Sequence, residues 1–119
     1  MALKLEAFDK AVTALGRALA LPEDDITRDA SIQRFEFCIE LAWKVGKRHM
    51  GTAATAPKQV IREMGQASLI DDVALWLEAV DKRNLSSHTY NEDLAREVYR
   101  FAVGFLPRLE DLRARLSQP

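Results

Sequence analysis

Seven apolar residues, Leu94, Val98, Phe101, Phe105, Leu109, Leu112 and Leu116, recur at steps of three and four near the end of the chain. Residues at those steps share one face of an α-helix, so the stripe commits this segment to a helix buried along one side. Gly104 and Pro107 fall inside it. The expectation is a kink there rather than a stop, because the apolar spacing resumes beyond them. A one-sided helix must find partners to cover its stripe, and that requirement shapes the reading of everything upstream.

The first partner runs from about Leu3 to Ala20, where Leu5, Phe8, Val12, Leu15 and Leu19 make a second stripe. Pro22 ends it by biasing Leu21 out of the helical region. A second helix is expected from near Asp29 to about Met50. Gln33, Glu36, Glu40, Lys44 and Lys47 cluster within a band of roughly 80° on its wheel. Ile32, Phe35, Phe37, Cys38, Ile39, Leu41, Ala42 and Val45 occupy most of the rest. A helix apolar over so much of its circumference is either central to the bundle or part of a subunit interface. Pro57 suits the first position of a short helix, Lys58 to about Met64, which Gly65 would terminate. Asp71 can cap a further helix that carries Val73, Trp76, Leu77 and Val80 inward and ends around Leu85. Thr89 with Glu92 fits a capping box for the last helix, and Asn91 competes for the same role. No segment alternates with period two, so no sheet is needed. The expected fold is all-α: a four-helix up-and-down antiparallel bundle with one short extra helix, in one domain spanning 1–119.

Composition fits this. Of 119 residues, 48% are apolar and 29% charged, a profile that can support a core unaided. Seventeen Lys and Arg against eighteen Asp and Glu leave a net charge of −1, with no overall basic excess for nucleic acid. Cys38, the single cysteine, has no intrachain partner and is expected buried and reduced. The opening residues carry acids where a signal peptide would have a long apolar run, and no stretch is long enough to span a bilayer. The expectation is a cytoplasmic protein with no membrane contact.

Common catalytic signatures are absent. There is no phosphate-cradling glycine loop, and His49, His88 and Cys38 lack zinc-ligand spacing, so neither metal nor cofactor is expected. Glu36, Glu40 and Lys44 lie one turn apart each and form an ion-pair ladder more readily than an acid/base pair. What remains is the run from Arg83 to Tyr90, which holds an arginine, an asparagine, two serines, a histidine, a threonine and a tyrosine. Arg83 follows Trp76 and Val80 along the inward face of its helix. A guanidinium there must be paired, open onto a groove or lie at an interface. The start of the following helix offers free N–H groups receptive to phosphate. A purely structural account is also open. In it Asn84 and Ser86 cap, His88 bonds a backbone carbonyl and Tyr90 covers the edge of the core.

Arg-x-x-x-x-His-x-Tyr at Arg83, His88 and Tyr90 resembles the signature of the HEPN superfamily of helical proteins. The run from Gln33 to Lys44, with Arg83-Asn84 and His88-Thr89-Tyr90, is similar to its branch of nucleotidyltransferase substrate-binding proteins. The resemblance covers nearly the whole chain. It implies a four-helix bundle that forms a homodimer and works with a separately encoded minimal nucleotidyltransferase, often as a toxin–antitoxin pair. It also implies that the helical member can be a metal-independent endoribonuclease, silenced when the transferase adenylylates the motif tyrosine. Carried over by position, Arg83 and His88 would be catalytic, Tyr90 the adenylyl acceptor and Asn84 a supporting polar group.

Histidine can shuttle the 2′-hydroxyl proton of RNA near neutrality, and arginine offers a permanent charge to phosphate oxygens. Two readings follow. One is an interaction subunit that presents Tyr90 or a nucleotide to the transferase. The other is a ribonuclease that the transferase restrains. The apolar breadth of the second helix independently predicts a homodimer with that helix near the interface.

Overall fold

The computed structural model describes residues 2–118, with side chains described from Leu5 to Gln118. The helices are α1 (Ala2–Leu19), α2 (Asp25–Met50), α3 (Pro57–Gln66), α4 (Val73–Leu85) and α5 (Glu92–Leu116), with a 3₁₀ turn at Ser86–His88. The all-helical expectation holds, with four principal helices and α3 as the short extra one.

Contacts at named levels give the directions. Gly16 of α1 lies beside Leu106 of α5 while Thr13 accepts from Arg113 at 3.1 Å, so these two helices run oppositely. Trp76 meets Phe105 while Lys82 meets Glu97, so α4 descends as α5 rises. Phe35 in α2 lies edge-on to Phe101 and Phe105, and the start of α2 lies beside the start of α5. These two helices are therefore parallel, as alternating up-and-down helices require. α2 touches every other helix, so much of its wide apolar surface is covered within the chain.

The stripes read from spacing supply much of the core. Phe8, Val12 and Leu15 of α1 and Val98, Phe105, Leu109 and Leu112 of α5 are at most 1% exposed. Phe35, Phe101, Phe105 and Trp76 form an aromatic knot joining α2, α4 and α5, with Trp76 and Phe105 centroids 4.7 Å apart at 78°. Edge-to-face geometry of this kind adds about 0.5–1.5 kcal/mol per pair beyond burial. Cys38 is buried, and burial pushes its thiol up to about 12. No helix among the described residues is long and apolar enough to cross a membrane.

Several local expectations are corrected. α2 begins at Asp25, one turn before the expected Asp29, because Asp24 and Thr27 form a reciprocal capping box. Gly65 does not terminate α3, which continues to Gln66. Its role is close approach, since a Cβ there would overlap Val73 Cγ2. Asp72, not Asp71, caps α4 by accepting from the Leu75 N–H at 3.2 Å. Asp71 instead pairs with Arg115 of α5. Asn91 prevails over Thr89 as the cap of α5. As expected, the last helix does not stop at Pro107, whose missing N–H falls on an exposed side of α5 where water can serve the freed carbonyl.

Candidate functional site

The end of α4 leaves backbone carbonyls without helical partners, and the hydroxyls of the following turn bond to them. Ser86 Oγ donates to the Arg83 carbonyl at 2.5 Å, and Ser87 Oγ to the Asn84 carbonyl at 3.2 Å. Thr89 Oγ1 donates to the Ser86 carbonyl at 3.1 Å, and the Asn91 N–H to the His88 carbonyl at 3.1 Å. Each hydroxyl is thereby turned back onto the chain. The side chains not used in this way are Arg83, Asn84, His88 and Tyr90.

Arg83 resolves its odd inward position by pairing. Its Nη2 lies 3.2 Å from Glu40 Oε2 and 4.0 Å from Glu36 Oε2, both on α2. Its Nε is buried with no acceptor. Glu40 also meets Lys44 at 3.5 Å, so the acidic ladder seen in the sequence borders this arginine. A second strap fixes the same end of α4. Lys82 donates to Glu97 of α5 at 2.8 Å, and that hydrogen bond holds the ammonium above its ordinary pKa.

His88 and Tyr90 face outward. The ring of Tyr90 is 87% exposed, so it does not cover the core edge, and His88 is also exposed. Their centroids lie 6.0 Å apart with planes at 81°. Asn84 is exposed at the end of α4. Tyr90 borders a depression lined by the first turns of α2 and α5, including Asp25, Arg28, Asp29, Glu92 and Ala95. The sequence reading missed the α2 residues here because it started that helix too late. The signal for them was the Asp24-x-x-Thr27 spacing.

Two features differ from expectation. The start of α5 is not an open anion site, because Asn91 Oδ1 already accepts from the N–H groups of Asp93 at 3.0 Å and Leu94 at 3.2 Å. Glu92 and Asp93 also fill the first turn with negative charge. Arg28, the cation in the depression, is engaged by Glu23 at 3.0 Å and Asp25 at 3.1 Å, and the bond to Glu23 raises its pKa. The site residues are also divided within one chain. Arg83 meets α2 at Glu36 and Glu40, whereas Tyr90 shares the lining of a depression with Asp25, Arg28 and Asp29 of α2. At 1.5 Å per residue those levels are roughly 10–16 Å apart from Asp29 upward. The 3₁₀ turn with His88 packs against α2, α4 and α5.

Known proteins of similar sequence and shape share this arrangement of helices. A relative from Haemophilus influenzae named probable ribonuclease HepT is 36% identical over 97 residues. The match covers 71% of this chain and 66% of that relative, just under two thirds of its length. A crystal structure from Thermus thermophilus superimposes with a TM-score of 0.85 at 35% identity, covering 93% of this chain and 99% of the other. A second structure, from Haemophilus influenzae, gives 0.87 at 30% identity, covering 96% and 99%. It is described as revealing the fold of a substrate binding domain of a nucleotidyltransferase. The sequence model of proteins described as nucleotidyltransferase substrate binding protein like matches residues 3–118, and the chain belongs to that family.

Proposed function

We propose that this chain is the helical, substrate-binding partner of a minimal nucleotidyltransferase encoded nearby, in a cytoplasmic pair of the toxin–antitoxin type, and that Tyr90 accepts AMP. The observation that carries this reading is the 87% exposure of Tyr90 on a turn whose other hydroxyls are bonded inward. A phenol so placed can reach the active site of a second protein. Family membership supports the partner. In the transfer, the phenolic oxygen attacks the α-phosphorus of ATP. A new P–O bond forms, pyrophosphate leaves, and the phenolic proton passes to solvent. The transferase would supply nucleotide and metal, and this chain the acceptor. His88, its ring centroid 6.0 Å from that of Tyr90, flanks the acceptor, and Asn84 adds an exposed polar group at the end of α4 that the partner's surface can address.

The chain would work as a homodimer. Ile26 at 80% and Phe37 at 42% exposure, with the half-buried Leu41, place apolar surface on the outward side of α2 that one chain does not cover. Light scattering should give twice the chain mass at micromolar concentration, and a monomer would remove this element.

A second reading has specific support in the relative named a probable ribonuclease. In it this HEPN-like chain is a metal-independent endoribonuclease. Arg83 stabilises the phosphorane, His88 moves the 2′-hydroxyl proton, and AMP on Tyr90 blocks the RNA path by charge and bulk. The pairing of Arg83 with two carboxylates favours the partner-subunit reading for the free chain.

The deciding experiment incubates the chain with its cognate transferase, ATP and Mg²⁺ and follows mass. Wild type should gain AMP and Tyr90→Phe should not. Transfer undiminished in the Phe variant, or absent from wild type beside an active partner, excludes Tyr90 as acceptor. Arg83→Ala and His88→Ala should remove any RNA cleavage while leaving partner binding largely intact.

A further inference from the structure

Arg83 is the group that the motif offers to phosphate, and in this chain it is already engaged. Glu40 and Glu36 both address Nη2, at 3.2 and 4.0 Å, and Nε is buried without an acceptor. The three side chains are each about one-third exposed, so solvent screens them only in part. Lys44 lies 3.5 Å from Glu40 and brings the formal charge of this four-residue network to zero. An arriving phosphate diester would therefore find no net positive charge. It would have to displace a carboxylate or dock beside two of them, and like charges at that range oppose it. These two glutamates reach Arg83 from a different helix, one turn apart, with a geometry that the spacing of the motif alone does not contain.

We infer that Glu36 and Glu40 are specificity-determining residues of this site: they occupy Arg83 and keep polynucleotide phosphate off it. The inference rests on the reading that Arg83 is the phosphate-facing group of the motif, and it adds which residues set what that group accepts. An ion pair serving only to join α2 to α4 behaves differently. Its removal would loosen the fold without creating an affinity for RNA that depends on Arg83.

The test compares wild type, the double variant Glu36→Gln/Glu40→Gln, and the same double variant carrying Arg83→Ala. Glutamine keeps the shape of each side chain and removes its charge. Binding of a short fluorescent oligouridylate is followed by anisotropy across a series of salt concentrations, with helical content checked by circular dichroism. The double variant should bind about tenfold more tightly at low salt, the size of a screened charge interaction near a surface. Its dependence of log K on log salt should steepen by about 0.7, the signature of one added phosphate contact on a single strand. Both gains should vanish when Arg83→Ala is added. Unchanged affinity in the double variant overturns the inference, and so does a gain that survives loss of Arg83. If the double variant loses helix, the single variants Glu36→Gln and Glu40→Gln decide the matter in the same way, each with a smaller expected gain. Failure of the acceptor reading is seen separately, as absence of AMP on wild-type Tyr90, and leaves the RNA comparison standing.

Discussion

Trp76, in the first turn of α4, and Tyr90, just beyond the end of that helix, are large aromatic residues that the fold treats oppositely. Trp76 is 1% exposed and wedged edge-on against Phe105, while Tyr90 is 87% exposed. Burying an aromatic side chain of this size contributes on the order of 5 kcal/mol by area, an upper figure. The exposed ring of Tyr90 contributes little of that. The knot around Trp76 answers to packing, and the turn from Ser86 to Tyr90 answers to its own backbone through three inward hydroxyls. The lesson is a division of labour within one segment. α4 is pinned by its buried half and by Lys82 and Arg83, which leaves the turn beyond it free to display His88 and Tyr90.

Substitutions can break this contrast from the packed side first. Phe105→Ala removes the ring that Trp76, Phe35 and Phe101 share, and should cost about 3–5 kcal/mol in urea unfolding. Gly65→Val forces a side chain into the space of Val73 Cγ2 and should cost about 1–3 kcal/mol, seen as a lower midpoint with unchanged slope.

Alkaline pH probes the core through Cys38. Its folded pKa of about 12 lies above the ordinary thiol value, so burial favours the protonated form. That contribution is whole below the unfolded pKa and is lost as pH rises toward the folded one. The advantage of wild type over Cys38→Ala should therefore shrink by about 2 kcal/mol between pH 8 and pH 10.5. A constant difference across that window would show that the thiol does not ionise on unfolding.

At the turn the effects are smaller. Asn91→Ala strips two N–H groups of α5 of their acceptor and should cost about 1 kcal/mol. Tyr90→Phe and His88→Ala should each stay within about 0.5 kcal/mol of wild type. If Tyr90→Phe instead destabilises as strongly as the Asn91 variant, the tyrosine has a packing role and the contrast fails.

The legible part of this protein is what depends on neighbours three or four residues away. The stripes of α1 and α5, the apolar breadth of α2 and the inward course of Trp76 and Val80 follow from periodicity, and the core contains most of those residues, while Phe37 is exposed and Leu5, Leu19, Leu41, Leu94 and Phe101 are half-buried. Caps were less legible. Asp71 against Asp72, and Thr89 against Asn91, differ by one or two positions and offer equally suitable side chains. The choice depends on the angle at which the chain enters each helix, and packing sets that angle. At the candidate site, the chemistry of Arg83, His88 and Tyr90 could be read from residue type and spacing. Their surroundings could not.

What the sequence determined by itself is therefore the helices, the faces they bury and a short list of reactive side chains, because a regular backbone repeats every few residues. The tertiary structure decided that Glu36 and Glu40 engage Arg83, and that Asn91 closes the N–H groups of α5. It also decided that Tyr90 borders a depression at the start of α2, whereas Arg83 meets that helix at Glu36 and Glu40. Each of these is a meeting between distant segments or a consequence of how they dock. Such meetings depend on how α2, α4 and α5 lie against one another, and a periodicity measured along one helix carries no term for its neighbour.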